Sequence, residues 1–253
     1  MAILAATDMP LKKILLFITT LFFIVNCFAQ ETIEKKNRIN DNVTEQFSVL
    51  KSNELVKNGP YEALYKHKMP IAMGNYTQNK KTGLWRFYSP KGKLMQIYNY
   101  DNDSLRYEAP EFKNSSDFFY FIDKTVADTD KVTKPVKAGG RYYGYLPYLG
   151  LYQIPFSPYQ YSTTGCVAVI ELLISPMGRL AGYKVRTVCD SYDFDQTINM
   201  NVKLFKAEDQ QFIPATYNGE PVVSRIIIRC RVTQTGGLDF LGGSKERQMQ
   251  NAE

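Results

Sequence analysis

The stretch from Thr164 to Val232 constrains the fold most, because its apolar residues alternate, then take helical spacing, then alternate again. In T-G-C-V-A-V-I-E-L-L-I-S, Cys166, Ala168, Ile170, Leu172 and Ile174 share one strand face. After the turn Pro176-Met177-Gly178-Arg179, Ala181, Tyr183, Val185 and Cys189 share a face of a second strand. Phe194, Ile198, Val202 and Phe205 then recur at helical spacing, with Asp193 placed to cap the first free amides. The turn Asn218-Gly219 leads into a last strand in which Ile226, Ile228, Cys230 and Val232 face one way and Arg225, Arg229 and Arg231 the other. The pattern predicts an α+β unit, a three-stranded antiparallel sheet with a packed helix.

The middle of the chain repeats itself. K-N-G-P-Y-E-A-L-Y-K, from Lys57, is echoed by K-T-G-L-W-R-F-Y, from Lys81. At one constant offset Gly59 aligns with Gly83, Tyr61 with Trp85 and Tyr76 with Tyr100. Each unit reads as a β-hairpin whose glycines supply turns and whose aromatic residues pack one face of the ribbon. Tyr61, Tyr76, Trp85 and Tyr88 are therefore expected in the core of a short antiparallel sheet, with ligand contact by exposed aromatics as the second reading.

Two family resemblances rest on these residues. The run G-N-Y-T-Q-N-K-K-T-G-L-W-R-F-Y-S-P-K-G-K-L resembles the MORN-like repeats of the YwqK antitoxin type. The hairpin G-C-V-A-V-I-E-L-L-I-S-P-M-G-R-L-A-G-Y-K-V, the F-D-Q-T-I segment, F-I-P-A-T-Y-N-G-E-P-V and the Ile-rich last strand resemble the C-terminal domain of the TonB energy-transducer family. In place of the short Tyr-Pro-x-x-Ala helix of that family, this chain carries the aromatic run Leu149 to Tyr161. The expected layout is an export signal over 1–29, a linker over 30–45, the repeat segment over 46–107 and a linker with a short strand over 108–140. The TonB-like domain over 141–235 and a disordered tail over 236–253 complete it, with the boundary near Gly139.

Lys12 and Lys13 precede I-L-L-F-I-T-T-L-F-F-I-V, and small residues at Cys27 and Ala29 suit cleavage after Ala29. The mature chain is then periplasmic or secreted. The alternatives are an inner-membrane anchor, since about 17 apolar residues is marginal for a span, and a lipoprotein at Cys27, whose preceding Asn26 departs from the usual lipid-attachment motif. A net charge of +6, spread along the chain, suits solubility and not nucleic-acid binding. Removal of the signal leaves Cys166, Cys189 and Cys230. Counting back from the turn sets Cys166 opposite Cys189, so either a cross-strand disulfide or three small buried side chains satisfies the pattern.

Chemistry-bearing motifs are scarce. The chain has one histidine, His67, and no G-x-S-x-G, phosphate loop or H-E-x-x-H motif. Asp190, Asp193 and Asp195 lack the glycine and distal glutamate of a calcium loop and read as helix-capping residues. No catalytic, metal or cofactor site is expected. The TonB-like resemblance implies instead a non-enzymatic envelope protein that captures an extended peptide or partner strand by β-augmentation. The expected edge is the last strand, with Arg225, Ile227, Arg229 and Arg231, and a second copy in a homodimer is another occupant. An inner-membrane energy transducer for outer-membrane transport and an antitoxin-like repeat protein are the alternatives. Only about 20 polar residues separate the apolar segment from the first repeat, short for spanning a periplasm.

Overall fold

A computed structural model describes residues 31–110, 117–157 and 162–241. The expected export signal with Cys27, and residues 242–253 of the expected tail, lie outside them. Seven strands follow one another as a meander: β1 (Thr32–Arg38), β2 (Val43–Leu50), β3 (Asn53–Tyr65), β4 (Met69–Thr77), β5 (Lys80–Tyr88), β6 (Leu94–Asn99) and β7 (Ser104–Glu108). Thr77 and Lys80 face each other across a two-residue turn in which Gln78 and Asn79 both have positive φ, the backbone that matches the twist of a hairpin. The linker expected over 30–45 is thus strand β1 and the start of β2. His67 sits in another turn, with its Nδ1 3.4 Å from the Thr44 hydroxyl.

The second sheet is formed by β8 (Phe118–Ile122), β9 (Val167–Ile174), β10 (Leu180–Cys189), β11 (Phe194–Asn199), β14 (Ser224–Val232) and β15 (Leu238–Phe240). Its order is β11-β10-β9-β14-β15, with β8 also on β14, while β12 (Ala215–Tyr217) and β13 (Glu220–Val222) form a separate ribbon. The β9–β10 hairpin keeps the anticipated register apart from a bulge between Leu180 and Gly182, and Cys166 and Cys189 are joined in a disulfide with Cα atoms 4.2 Å apart. Cys230 is free and buried.

Several expectations are corrected. The molecule is mostly β, 54% strand against 9% helical, and not an α+β unit with a three-stranded sheet and packed helix. Phe194 and Ile198 lie four apart, a spacing that fits a helix and equally a strand with a period of two. The long β10 leaves an unpaired edge, and Phe194–Asn199 pair with Cys189–Lys184 along it instead of coiling. Arg186 and Asp195 bridge the two strands at 2.8 and 2.5 Å. The tail begins with an ordered strand: Leu238–Phe240 pair with Val232–Cys230. Nor is 108–140 a linker around one short strand. Beyond β8, Val132 and Val136 bridge to Tyr217 and Ile213, so these residues of the stretch read as linker are tied to the C-terminal half.

Tyr143–Tyr145, in a 3-10 turn, and the short helix α1 (Leu146–Gly150) cover the second sheet where the long helix was expected. Tyr148 is buried there, its ring 4.7 Å from Phe205, 5.9 Å from Tyr183 and 6.4 Å from Phe212. The buried apolar residues of both sheets form one continuous cluster, so the two halves share a core.

Candidate functional site

The last strand cannot accept a partner strand along 224–232. One side of β14 is paired with β9, and the other with β8 over Ser224–Ile228 and with β15 over Cys230–Val232. Its side chains are engaged as well. Arg225 and Arg231 pair with Asp123 at 2.9 Å and Asp239 at 2.6 Å, Arg229 lies 4.7 Å over the Phe119 ring, and Ile227 is half-buried. The expected edge-strand site is therefore an interior strand. Two strands contributed by residues read as linker and tail close it.

The repeat aromatics come together elsewhere. Trp85 is fully buried in the inner face of the first sheet, surrounded by Tyr61, Tyr76, Phe87 and Tyr100 at ring distances of 5.1 to 6.1 Å. A Cβ on Gly74 would come within 2.3 Å of the Trp85 ring, so the missing side chain at 74 is what lets the indole lie against β4. Tyr88, half-buried at the end of β5, stands apart from this group.

The chain from Lys137 to Gly144 docks the second half onto this face. Gln96 is fully buried and meets it with all its polar capacity: Nε2 donates to the Lys137 carbonyl at 3.0 Å and the Glu108 carboxylate at 2.7 Å. Oε1 accepts from the amides of Gly139 at 2.8 Å and Gly140 at 3.0 Å. Gly140 has φ +66 and its Cβ position is 3.1 Å from the Phe87 Cβ, an approach that suits glycine alone. Tyr143 then stacks on Phe87 at 5.7 Å and shares a 2.7 Å hydroxyl hydrogen bond with Tyr61.

Beside this junction opens a cleft of about 810 Å³, walled by the repeat sheet on one side and by Tyr143–Gly150 and the 206–214 loop on the other. The ammonium groups of Lys57, Lys81 and Lys137 in its lining are engaged. Lys57 pairs with Glu45 at 3.1 Å and Lys81 with Glu208 at 2.8 Å, while Lys137 donates to the carbonyls of Glu208 and Gln211 at 2.9 and 3.2 Å. Burial lowers the Lys137 amine to about 8. Burial also opposes the charge on Lys81, but the Tyr100, Tyr143 and Tyr76 oxygens and the Glu208 carboxylate outweigh it and raise its pKa. Glu208 responds in kind: burial pushes it up, yet the Lys81 ammonium holds it below the usual carboxylate range. Desolvation raises the phenols of Tyr61, Tyr76, Tyr100 and Tyr143, which stay neutral hydroxyls at physiological pH.

Fold and site together define a two-sheet β protein with an aromatic, charge-paired cleft at the junction of its halves. The chain matches none of the protein-family models, curated proteins or solved structures with which it was compared. Among the described residues no helix is long and apolar enough to cross a membrane, and no three His, Cys, Asp or Glu side chains gather in a group that could hold a metal ion. Sequence reasoning placed the repeat aromatics in a core but missed the lysines beside them. The signal was present in the K-x-G-x-aromatic echo, in which Lys57 and Lys81 occupy equivalent positions.

Proposed function

We propose that the protein is an exported, non-enzymatic binding protein of the cell envelope that takes its ligand in the cleft between the two sheets. The observation carrying this reading is the cleft itself: about 810 Å³, in the range of small-ligand sites, with aromatic walls and a few convergent polar groups. Three of its cations, Lys57, Lys81 and Lys137, are held in ion pairs or on carbonyls, an arrangement that suits recognition. Export rests on the basic and apolar N-terminal pattern with its small-residue cleavage site. Gly59 and Gly83, repeat-equivalent and both at positive φ, support the MORN-like reading of the first half.

A photo-crosslinking side chain placed at position 76, and separately at position 184, tests the assignment in a diderm bacterium expressing the full chain. Tyr76 lines the cleft, whereas Lys184 is exposed on β10 outside it. Light-dependent adducts on the exported protein at 76 and none at 184 are expected. Adducts at 184 with none at 76 would refute the cleft.

A further inference from the structure

Trp85 and Phe87 point from β5 into the shared core, so Leu84 and Arg86, which alternate with them, point the opposite way, onto the outer face of the first sheet. Register carries that face across the neighbouring strands. Glu62 on β3, Met73 on β4, Arg86 on β5, Ile97 on β6 and Tyr107 on β7 are successive cross-strand partners. Met73, Leu84 and Tyr107 are 40%, 46% and 39% exposed, and Ile97 is half-buried between Arg86 and Tyr107, so the apolar surface forms one stripe instead of scattered spots. Glu62 and Arg86 bracket Met73, one strand to each side, and among the described residues neither has a hydrogen-bond or ion-pair partner. A shallow depression opens beside Met73, with Pro60, Asn75 and Leu84 in its lining.

We infer that this face docks a second copy of the chain, the two first sheets packing face to face about a two-fold axis that runs along β4 at Met73. The order of the charges carries the inference. Rotation about that axis exchanges the strand on one side of Met73 with the strand on the other. The Glu62 carboxylate then meets the partner's Arg86, Arg86 meets the partner's Glu62, and Met73 meets its own copy. The same rotation sets Leu84, on β5, over the partner's Pro60, on β3, at the depression. One operation thus matches both unpaired charges, whereas an acidic partner would satisfy Arg86 and repel Glu62, and a basic one the reverse. Six strand spacings of about 4.8 Å and the roughly 20 Å length of six-residue β6 give a footprint of about 600 Å² per copy. The pair then buries about 1,200 Å², the low end of specific interfaces, which suits a dimer of micromolar affinity. Sheets in sandwiches pack face to face in this aligned manner. The cleft is lined from the opposite face of the sheet, by Tyr61 and Tyr76, so the docking does not depend on the ligand reading and leaves both clefts open.

Sedimentation equilibrium of the full mature chain, over about 1 to 200 µM, tests the inference. The mass is expected to rise from one chain to two and to stop there. Arg86→Glu and Glu62→Arg each weaken the dimer at least tenfold, because each sets like charges together twice across the axis. The combined Glu62→Arg, Arg86→Glu variant restores it to within about threefold, since both pairs re-form with their signs exchanged. Met73→Cys links the two copies through a disulfide on air oxidation, and Lys184→Cys, on exposed β10, does not. Circular dichroism of each variant separates lost association from lost fold. A chain that stays monomeric at 200 µM overturns the inference, as does a dimer that both single charge reversals leave intact. Failure of the natively folded double variant to recover, or a dimer that Met73→Cys does not crosslink, places the contact elsewhere and overturns it too. Growth beyond two chains requires a head-to-tail contact and refutes the two-fold axis.

Discussion

Replacing Gln96 with leucine tests the claim that the two halves are one folding unit. Gln96 makes four hydrogen bonds from a fully buried position, three of them to the backbone of Lys137, Gly139 and Gly140. Leucine is close in size but leaves two buried amides and one carbonyl without their partner, and a buried unsatisfied group costs about 1–3 kcal/mol. The Glu108 carboxylate has Lys134 at 3.6 Å to fall back on, so its loss adds little. The expected destabilisation is roughly 3–5 kcal/mol, a large share of the ~5–15 kcal/mol that holds a typical native chain. At an m value of about 2–3 kcal/mol/M, the urea midpoint falls by roughly 1–2.5 M. The assay follows urea unfolding by Trp85 fluorescence, which reports the repeat sheet, and by circular dichroism, which reports both. Both transitions move together if the core is continuous. A fluorescence midpoint displaced by under about 0.4 M, or two separated transitions in the parent protein, would refute the reasoning.

Other consequences follow from the same junction. Gly74→Ala drives a methyl group into the Trp85 ring, which is boxed in by four other rings, and is expected to cost about 1–3 kcal/mol with a shift of the indole emission; an unchanged melt and spectrum would contradict it. Lys137, lowered by burial to about 8 in the fold, returns to the ordinary lysine range when unfolded, so between about pH 8 and 10.5 the unfolded chain binds more protons and stability rises with pH. Relative to Lys137→Met, the parent should gain up to roughly 3 kcal/mol across that window, read from urea melts at several pH values; a difference that stays flat above pH 8 would show the amine is not desolvated.

Where one period fits the sequence, the elements were legible. Cys166 to Ile174 and Tyr183 to Cys189 alternate over enough residues to fix the β9–β10 hairpin, and Gly178, at φ +69, marks its turn, so the facing of Cys166 and Cys189 followed. Phe194 and Ile198 alone satisfy two periods, and the unpaired edge of β10, invisible in local sequence, selected the strand. Gly139-Gly140 carried the composition of a linker, yet there the missing side chains let Gly139 lie against Gly144 and Gly140 dock closely against Phe87 and Gln96. Leu238–Phe240 is too short to show a pattern and is held by β14. The site was less legible than the fold. Spacing placed Tyr61, Tyr76 and Trp85 on one face, but the direction of a long lysine side chain is set by tertiary partners, here Glu45 and Glu208.

Those partners also explain why the repeat segment is completed by the second half. Lys57 finds its carboxylate within the first sheet, whereas Lys81 finds one 127 residues away, on the 206–214 loop. Detached from that loop, Lys81, now 12% exposed, would have its ammonium among Trp85 and Tyr100 with no carboxylate beside it. The Lys81–Glu208 pair therefore forms only when Gln96 and the glycine pair bring the halves together. Docking of the halves and the Lys81–Glu208 pair are thus one structural event, whereas the Lys57–Glu45 pair lies within the first sheet.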